Sequence, residues 1–490
     1  MLQLISRAAS FAENISVVSF NQQYSYKELL SRSESIAGYL LEGGNDLLEA
    51  RIAFMIEPGF DYVATQWAIW RAGGIAVPLC ITYPEDALLY VAEDTKCSQI
   101  IASSSFAVLA SSVAAKSNAL FSLVDDCHSK EAILPDIGEN RKAMILYTSG
   151  TTSKPKGVVT THLNINAQIK SLIEAWKWSS KDHTLCVLPL HHVHGIINVI
   201  GCALWSGATC EFLAKFSPKD IFEKFLEGKV NVFMAVPTIY FKLIAHLDDQ
   251  SASYQAEVKT CLEKFRLMVS GSAALPISVM EKWRSVSGHD LLERYGMTEI
   301  GMGISNPYEG LRKPGFIGKS LPGVQVRLTD DANNEIYGEP GEIQVKGDTV
   351  FSEYWGKPEA TASSFTKDGW FKTGDIAEII EGSFRILGRN STDIIKSGGY
   401  KISALEIEEC IRTEKGIIDC SVVGLPDDEW GELIAVALIA EESFELALMM
   451  DSLKNKLPGY KMPRKFKLLS ELPRNIMGKV TKNELKKIFI

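Results

Sequence analysis

Through its first 300 residues the chain alternates short apolar runs with helix-length amphipathic stretches, and this rhythm limits its fold more than any other feature. The runs fall at 52–56, 75–79, 99–102, 144–147, 184–188, 232–236 and 267–269. Amphipathic stretches at 61–72, 163–176, 218–225 and 276–285 lie between several of them. Parallel strands need a crossover long enough to hold a helix, so the pattern predicts βαβ units and parallel sheets. Right-handed crossovers then put helices on both faces. Ligands of such sheets sit beyond the carboxyl ends of the strands.

From about residue 315 the texture changes. Short strands at 324–328, 342–345 and 385–387, punctuated by Gly, Pro and Asn, predict a smaller antiparallel region. A third unit starts near Asn390. It holds a turn at 397–399, helices at 404–413, 446–457 and 482–489, and strands at 421–423 and 434–439. The expected fold class is α/β: a large N-terminal domain of parallel, αβα-layered sheets plus a small antiparallel β region, then a small α+β C-terminal domain. The division is expected at 1–388 and 389–490.

Composition removes several classes of function. With 51 Lys and Arg against 60 Asp and Glu the net charge is −9, which argues against nucleic acid as a partner. Residues 451–490 alone carry 11 basic and 3 acidic side chains, a net of +8, so the remainder carries −17. A solvated face is the default reading of that basic segment. Nine cysteines without a CxxC pair suit a reducing compartment. The longest apolar stretch, 196–205, is broken by Asn198, so no membrane span is expected. The first twenty residues lack a basic-then-apolar pattern. A cytoplasmic protein with no obligate protein partner is the resulting expectation.

Chemistry enters at Tyr147-Thr-Ser-Gly-Thr-Thr-Ser-Lys-Pro-Lys-Gly157, directly after an apolar strand. Glycine permits a tight turn close to a ligand, hydroxyls and backbone N–H groups donate, and two lysines add charge; together they suit a polyphosphate. It is not a Walker A loop, since Lys156 precedes Gly157 and Val158 follows. A polar surface loop is the bland alternative. The string resembles the signature loop of the adenylate-forming superfamily, which includes acyl-CoA synthetases, peptide-synthetase adenylation domains and firefly-type luciferases. Ser153 stands where many members have Gly.

Further strings follow in that family's order: Ser270-Gly-Ser-Ala-Ala-Leu-Pro276, Tyr295-Gly-Met-Thr-Glu299, Lys372-Thr-Gly-Asp375, Gly388-Arg389 and Pro473-Arg-Asn-Ile-Met-Gly-Lys479. The resemblance implies ATP, Mg²⁺ and coenzyme A as cofactor and co-substrates, and a mobile C-terminal lid. It implies that Thr148, Ser149, Gly150, Thr151, Thr152, Lys154 and Lys156 cradle phosphates, with Gly271, Ser272, Tyr295, Gly296 and Met297 around the nucleotide. Thr298 and Thr151 would hydrogen-bond phosphates, and Glu299 with Thr151 would hold the metal, a hard ion suited to one or two carboxylates. Asp375 would accept from ribose hydroxyls. Arg389 would meet ribose or phosphate near the hinge, and Gly398 and Gly399 would let the pantetheine arm pass close to the backbone. Lys479 would offset the repulsion between carboxylate and α-phosphate. At the hinge the family usually has Asp or Lys two residues after the Arg; Ser391 occupies that spacing, Asp393 comes later, and the pivot stays unassigned.

The acid is the less constrained part. A dicarboxylate needs its second charge neutralised, best by a bidentate Arg. Arg294 and Arg312 flank the central motif, but a salt bridge to Glu293 or Glu309, or a surface position, explains either one equally well. The strings Pro189-Leu-His-His-Val-His-Gly195, Leu292-Glu-Arg-Tyr-Gly-Met-Thr-Glu299 and Ser305-Asn-Pro-Tyr-Glu-Gly resemble malonyl-CoA synthetases. That resemblance implies that Arg294 and Ser272 contact the distal carboxylate and that His192 or His194 lines the substrate channel. Lys242 stands where that family commonly has Arg, which leaves malonate and methylmalonate both open. His191, His192 and His194 lack a carboxylate or Cys at metal spacing. Two other functions stay in view: an adenylating enzyme for a fatty, aryl or oxalate-like acid, and a non-catalytic nucleotide-binding protein on the same fold. Intact Lys479, Glu299 and Asp375 speak against the second.

Overall fold

A computed structural model describes residues 2–129, 133–148, 155–213, 215–474 and 480–489. The buried apolar runs become the central strands of two large sheets. In a seven-stranded sheet, Arg51–Met55 pairs in parallel with Ile75–Pro78 and Gln99–Ala102, while Lys142–Thr148 turns back antiparallel into Lys156–Thr161. In a nine-stranded sheet, His183–Cys186, Val232–Ala235, Leu267–Ser270 and Leu292–Met297 run parallel, Gly301–Ser305 returns antiparallel as a hairpin, and Lys319–Ser320 forms the edge beyond it. Strands such as Ile75–Pro78 and Val232–Ala235 are buried at every position because helices cover both faces. The largest apolar cluster joins residues of both sheets, from Phe54 and Trp67 to Trp176 and Leu292.

Helix His162–Trp176 shows how local sequence sets an element. Thr161 and Asn164 form a reciprocal capping box at its start, and Lys177 in left-handed conformation ends it. The apolar stretch 196–205 is neither a strand nor a span. It forms a buried π-helix, His194–Gly201, followed by a short α-helix, Cys202–Ser206. A π-turn in a helix often marks a functional site, and this one carries His194.

The expected antiparallel region is a four-stranded sheet of Gln325–Thr329, Gly341–Lys346, Phe371–Ile380 and Ser383–Arg389. The C-terminal unit is built on Ile417–Asp427 and Gly431–Ala440. Helices Ala404–Arg412 and Leu446–Lys456 pack on one apolar face of it. Leu485 and Phe489 of helix Lys482–Phe489 cover a second, separate cluster. Among the described residues no helix is long and apolar enough to cross a membrane.

Candidate active site

Strand Leu292–Met297 carries the site. Side chains alternate along a strand, so Arg294 faces one way and Glu293 and Tyr295 the other, before the register shifts at Tyr295/Gly296. Arg294 is 3 % exposed. Its guanidinium lies over Gly271, where an added Cβ would come within 2.4 Å of its Cζ. A side chain at 271 would therefore displace the guanidinium. Arg294 Nη2 approaches Ser272 Oγ at 3.4 Å, and Ser272 Oγ is 3.2 Å from His194 Nδ1. Ser272 holds this position at φ 68°, a strained conformation for serine of the kind that clusters at functional sites.

Among the described residues no carboxylate ion-pairs with Arg294, and its Nε has no hydrogen-bond partner. Burial pulls its pKa down to about 9, and neighbouring Glu293 offsets only part of that pull. Burial also drives the His194 pKa well below the ordinary value, with Arg294 and His192 adding to the effect. His194 is thus neutral and Arg294 charged at pH 7. The arrangement is a buried cation with an unmet demand for an anion, ringed by a hydroxyl and an imidazole.

The other side of the strand faces a second cluster. Tyr295 donates its hydroxyl to Asp375 Oδ2 at 2.6 Å, and Arg389 Nε meets Asp375 Oδ1 at 2.9 Å. Glu299 is buried and accepts from the Tyr354 hydroxyl at 2.9 Å. Burial raises its pKa, partly countered by its own backbone, Tyr354 and Arg389. Lys156 Nζ sits 4.8 Å from the centre of the Tyr354 ring. Thr148 ends the strand opposite Lys156, and Thr298 is half-buried beyond Met297. Gly296 could not bear a side chain, since a Cβ would fall 2.1 Å from Gly301 O. Tyr354 carries no motif and was not legible beforehand.

The remaining expected residues lie as follows. Arg312 donates to the carbonyls of Pro307, Asp290 and Tyr308, so its guanidinium fastens a loop. Lys242 is exposed, its ammonium 5.3 Å from the ring centre of Phe216. Phe216, with His191, Tyr62, Leu188 and Thr82, borders a cleft of about 500 Å³. The His192 ring lies 4.0 Å from that of His191. Among the described residues no group of three or more His, Cys, Asp or Glu is disposed to hold a metal. Gly398 and Gly399 form a turn at φ 56° and 84°, where only glycine is free of strain, and Gly398 N donates to Trp430 O. Ser149, Gly150, Thr151, Thr152, Lys154 and Lys479 lie outside the described residues.

A body of two large sheets, a small C-terminal unit, and a Tyr-Asp-Arg cluster beside a buried carboxylate describe an adenylate-forming ligase. Residues 5–355 match the AMP-binding enzyme family and 406–479 the AMP-binding enzyme C-terminal domain. The chain is 42% identical to the mitochondrial malonate–CoA ligase of Homo sapiens, with 98% of this chain and 91% of that protein covered. It is 40% identical to the malonate–CoA ligase of Arabidopsis thaliana, covering 98% and 87%. The ATP-bound structure of MatB from Rhodopseudomonas palustris superposes with a TM-score of 0.92 at 32% identity, over 100% of this chain and 99% of that one. The chain belongs to the AMP-binding enzyme family.

Proposed function

We propose that this enzyme activates malonate with ATP, forms malonyl-adenylate and pyrophosphate, and passes the malonyl group to coenzyme A. The observation that carries the reading is Arg294: buried, charged, free of any ion pair to a described carboxylate, and flanked by Ser272 and His194. A fatty-acid pocket has no use for such a group, because an unpaired buried charge is costly. The second carboxylate of a short diacid supplies the missing partner, and an Arg takes it in bidentate fashion. Methylmalonate satisfies the same charge.

In the first step a carboxylate oxygen attacks the α-phosphorus, the bond to the β-phosphoryl oxygen breaks, and pyrophosphate leaves. Lys479 offsets the charge that gathers there, and Thr298 donates to phosphate oxygen. Asp375, already held by Tyr295 and Arg389, presents carboxylate oxygens to the ribose. Glu299 fits Mg²⁺ bound with the triphosphate: it is one buried carboxylate with no ion pair among the described residues, and Mg²⁺ takes one or two carboxylates plus phosphate oxygens. The ion supplies charge neutralisation at the phosphates. In the second step the coenzyme A sulfur attacks the acyl carbon and AMP departs. We place the division between body and lid at 388/389, with Gly398–Gly399 facing the thiol arm after the lid turns. The partners are thus small molecules.

Pyrophosphate release and thioester formation with malonate, methylmalonate, succinate, acetate and octanoate test the assignment. Malonate or methylmalonate should lead; activity with octanoate alone would overturn the diacid reading. We further propose a cytoplasmic location, supported by nine free cysteines. The human relative is a mitochondrial protein by name, so recovery of this enzyme with mitochondria on cell fractionation would refute that placement.

A further inference from the structure

The residue the sequence left without a role at the hinge sits at the centre of a charge network. Asp393 follows the Ser383–Arg389 strand and accepts from the Arg389 backbone N–H through Oδ2 at 2.9 Å. Its Oδ1 lies 2.7 Å from Lys482 Nζ. Lys482 opens the C-terminal helix, is 10% exposed, and meets Glu408 Oε1 at 2.9 Å on its other side. Glu408 belongs to helix Ala404–Arg412 and also accepts from Val422 N. The Asp393 carbonyl accepts from Ala404 N at the start of that helix. One residue, Asp393, therefore joins the hinge strand, the first lid helix and the last one.

The network continues into the nucleotide site. The Arg389 backbone is held by Asp393 while its side chain holds Asp375, which Tyr295 also holds. At its other end the Lys482 helix packs Leu485, Ile488 and Phe489 into the small second cluster of the lid, and Lys465 and Lys467 donate to the carbonyls of Phe489 and Ile488. At its start Thr481 donates through N–H and Oγ1 to the Pro473 carbonyl; these contacts hold the helix within the lid, and none of them reaches the hinge strand. The ion pair at its first residue is what ties it to the hinge, through Asp393. Burial works against the Lys482 charge, but Glu408 and Asp393 outweigh it and raise its pKa above that of a free lysine. Lys479 precedes Lys482 by three positions in the chain.

We propose that Asp393 is a positioning residue: through Lys482 it locks the C-terminal helix to the hinge, so that lid rotation delivers Lys479 to the α-phosphate in register. This rests on the proposed role of Lys479. The turn at Gly398–Gly399 is held independently, by Gly398 N to Trp430 O and by pairing of Ser397 with Gly431. Loosening Asp393 should therefore harm one half-reaction and spare the other.

The test uses the full-length enzyme and Asp393→Asn, which keeps an oxygen for Arg389 N–H and removes the charge facing Lys482. Acid-dependent ATP–pyrophosphate exchange reports adenylation. Coenzyme A-dependent breakdown of chemically prepared malonyl-adenylate reports thioester formation. Adenylation kcat should fall about tenfold, since small misplacements of a catalytic group carry costs of this order and above. ATP KM and thioester formation should stay within about twofold. Lys482→Arg, which keeps the pair, should retain more adenylation than Lys482→Gln. Equal loss in both half-reactions, or no loss in either, would overturn the proposal. Lys479→Ala is the control: if adenylation survives it, the role of Lys479 fails, a result distinct from an unselective Asp393→Asn.

Discussion

Two buried cations, one in the body and one in the lid, end with pKa shifts of opposite direction. Arg294 has no carboxylate ion pair among the described residues, and its pKa falls to about 9. Lys482 is wedged between Asp393 and Glu408, and its pKa rises. Desolvation disfavours both charges; only the second has counter-charges that prevail. A buried cation complete with its anions is a structural element. One without them keeps donors and charge to offer a ligand, which is the basis of the role proposed for Arg294.

The largest effect that would sharpen this contrast is in stability. Lys482→Met strands two carboxylates in a shielded place and should destabilise the lid by about 3–5 kcal/mol, as broken buried pairs do. Arg294→Met removes an unsatisfied charge and should leave the melting temperature unchanged or raised. Thermal unfolding of both variants reads this directly, and equal destabilisation would break the contrast. Arg312 offers an intermediate case, partnered by three carbonyls and, among the described residues, by no carboxylate in an ion pair. Arg312→Ala should cost about 1–3 kcal/mol and leave the malonate-to-acetate preference untouched; a changed preference would return it to the substrate site.

The smallest effect concerns the neighbour of Arg294. Burial, then Glu409 of the lid, pushes the Glu293 pKa up to about 7, against the hydrogen bond from Leu275 N. A carboxyl whose folded pKa exceeds its unfolded value binds more protons when folded, so stability falls as pH rises from about 4.5 to 7. Glu293→Gln keeps an acceptor for Leu275 and lacks the titration. It should exceed the parent in stability above pH 7, by about 1–3 kcal/mol, with the gap closing towards pH 4.5. Urea melts at pH 5 and pH 8 check the sign; a gap that widens at low pH would contradict it.

Much of this was legible in the sequence because parallel strands buried on both faces read as uninterrupted apolar runs. Lys482–Phe489 and the strand at 99–102 fall on their expected limits. The hairpin of Ile15–Ser19 and Gln22–Ser25 was not read, since its second strand is an exposed, polar edge. Arg294 and Arg312 looked alike in one dimension. They differ because the carbonyls of 290, 307 and 308 converge on the second, a property of loop geometry and not of residue type. Tyr354 meets Glu299 across 55 residues, and Asp393 meets Lys482 from different elements; pairings of that range leave no local pattern.

The central claim is that Arg294 receives the second carboxylate of the acid. Its most direct test is the ratio of kcat/KM for malonate to that for propionate, an acid of equal length with one carboxylate, in the parent and in Arg294→Met. We expect the ratio to collapse by about 100-fold, as loss of a desolvated charge partner would cause, with ATP KM unchanged. A preserved ratio, with both acids and ATP weakened alike, would contradict the account and assign Arg294 to the nucleotide.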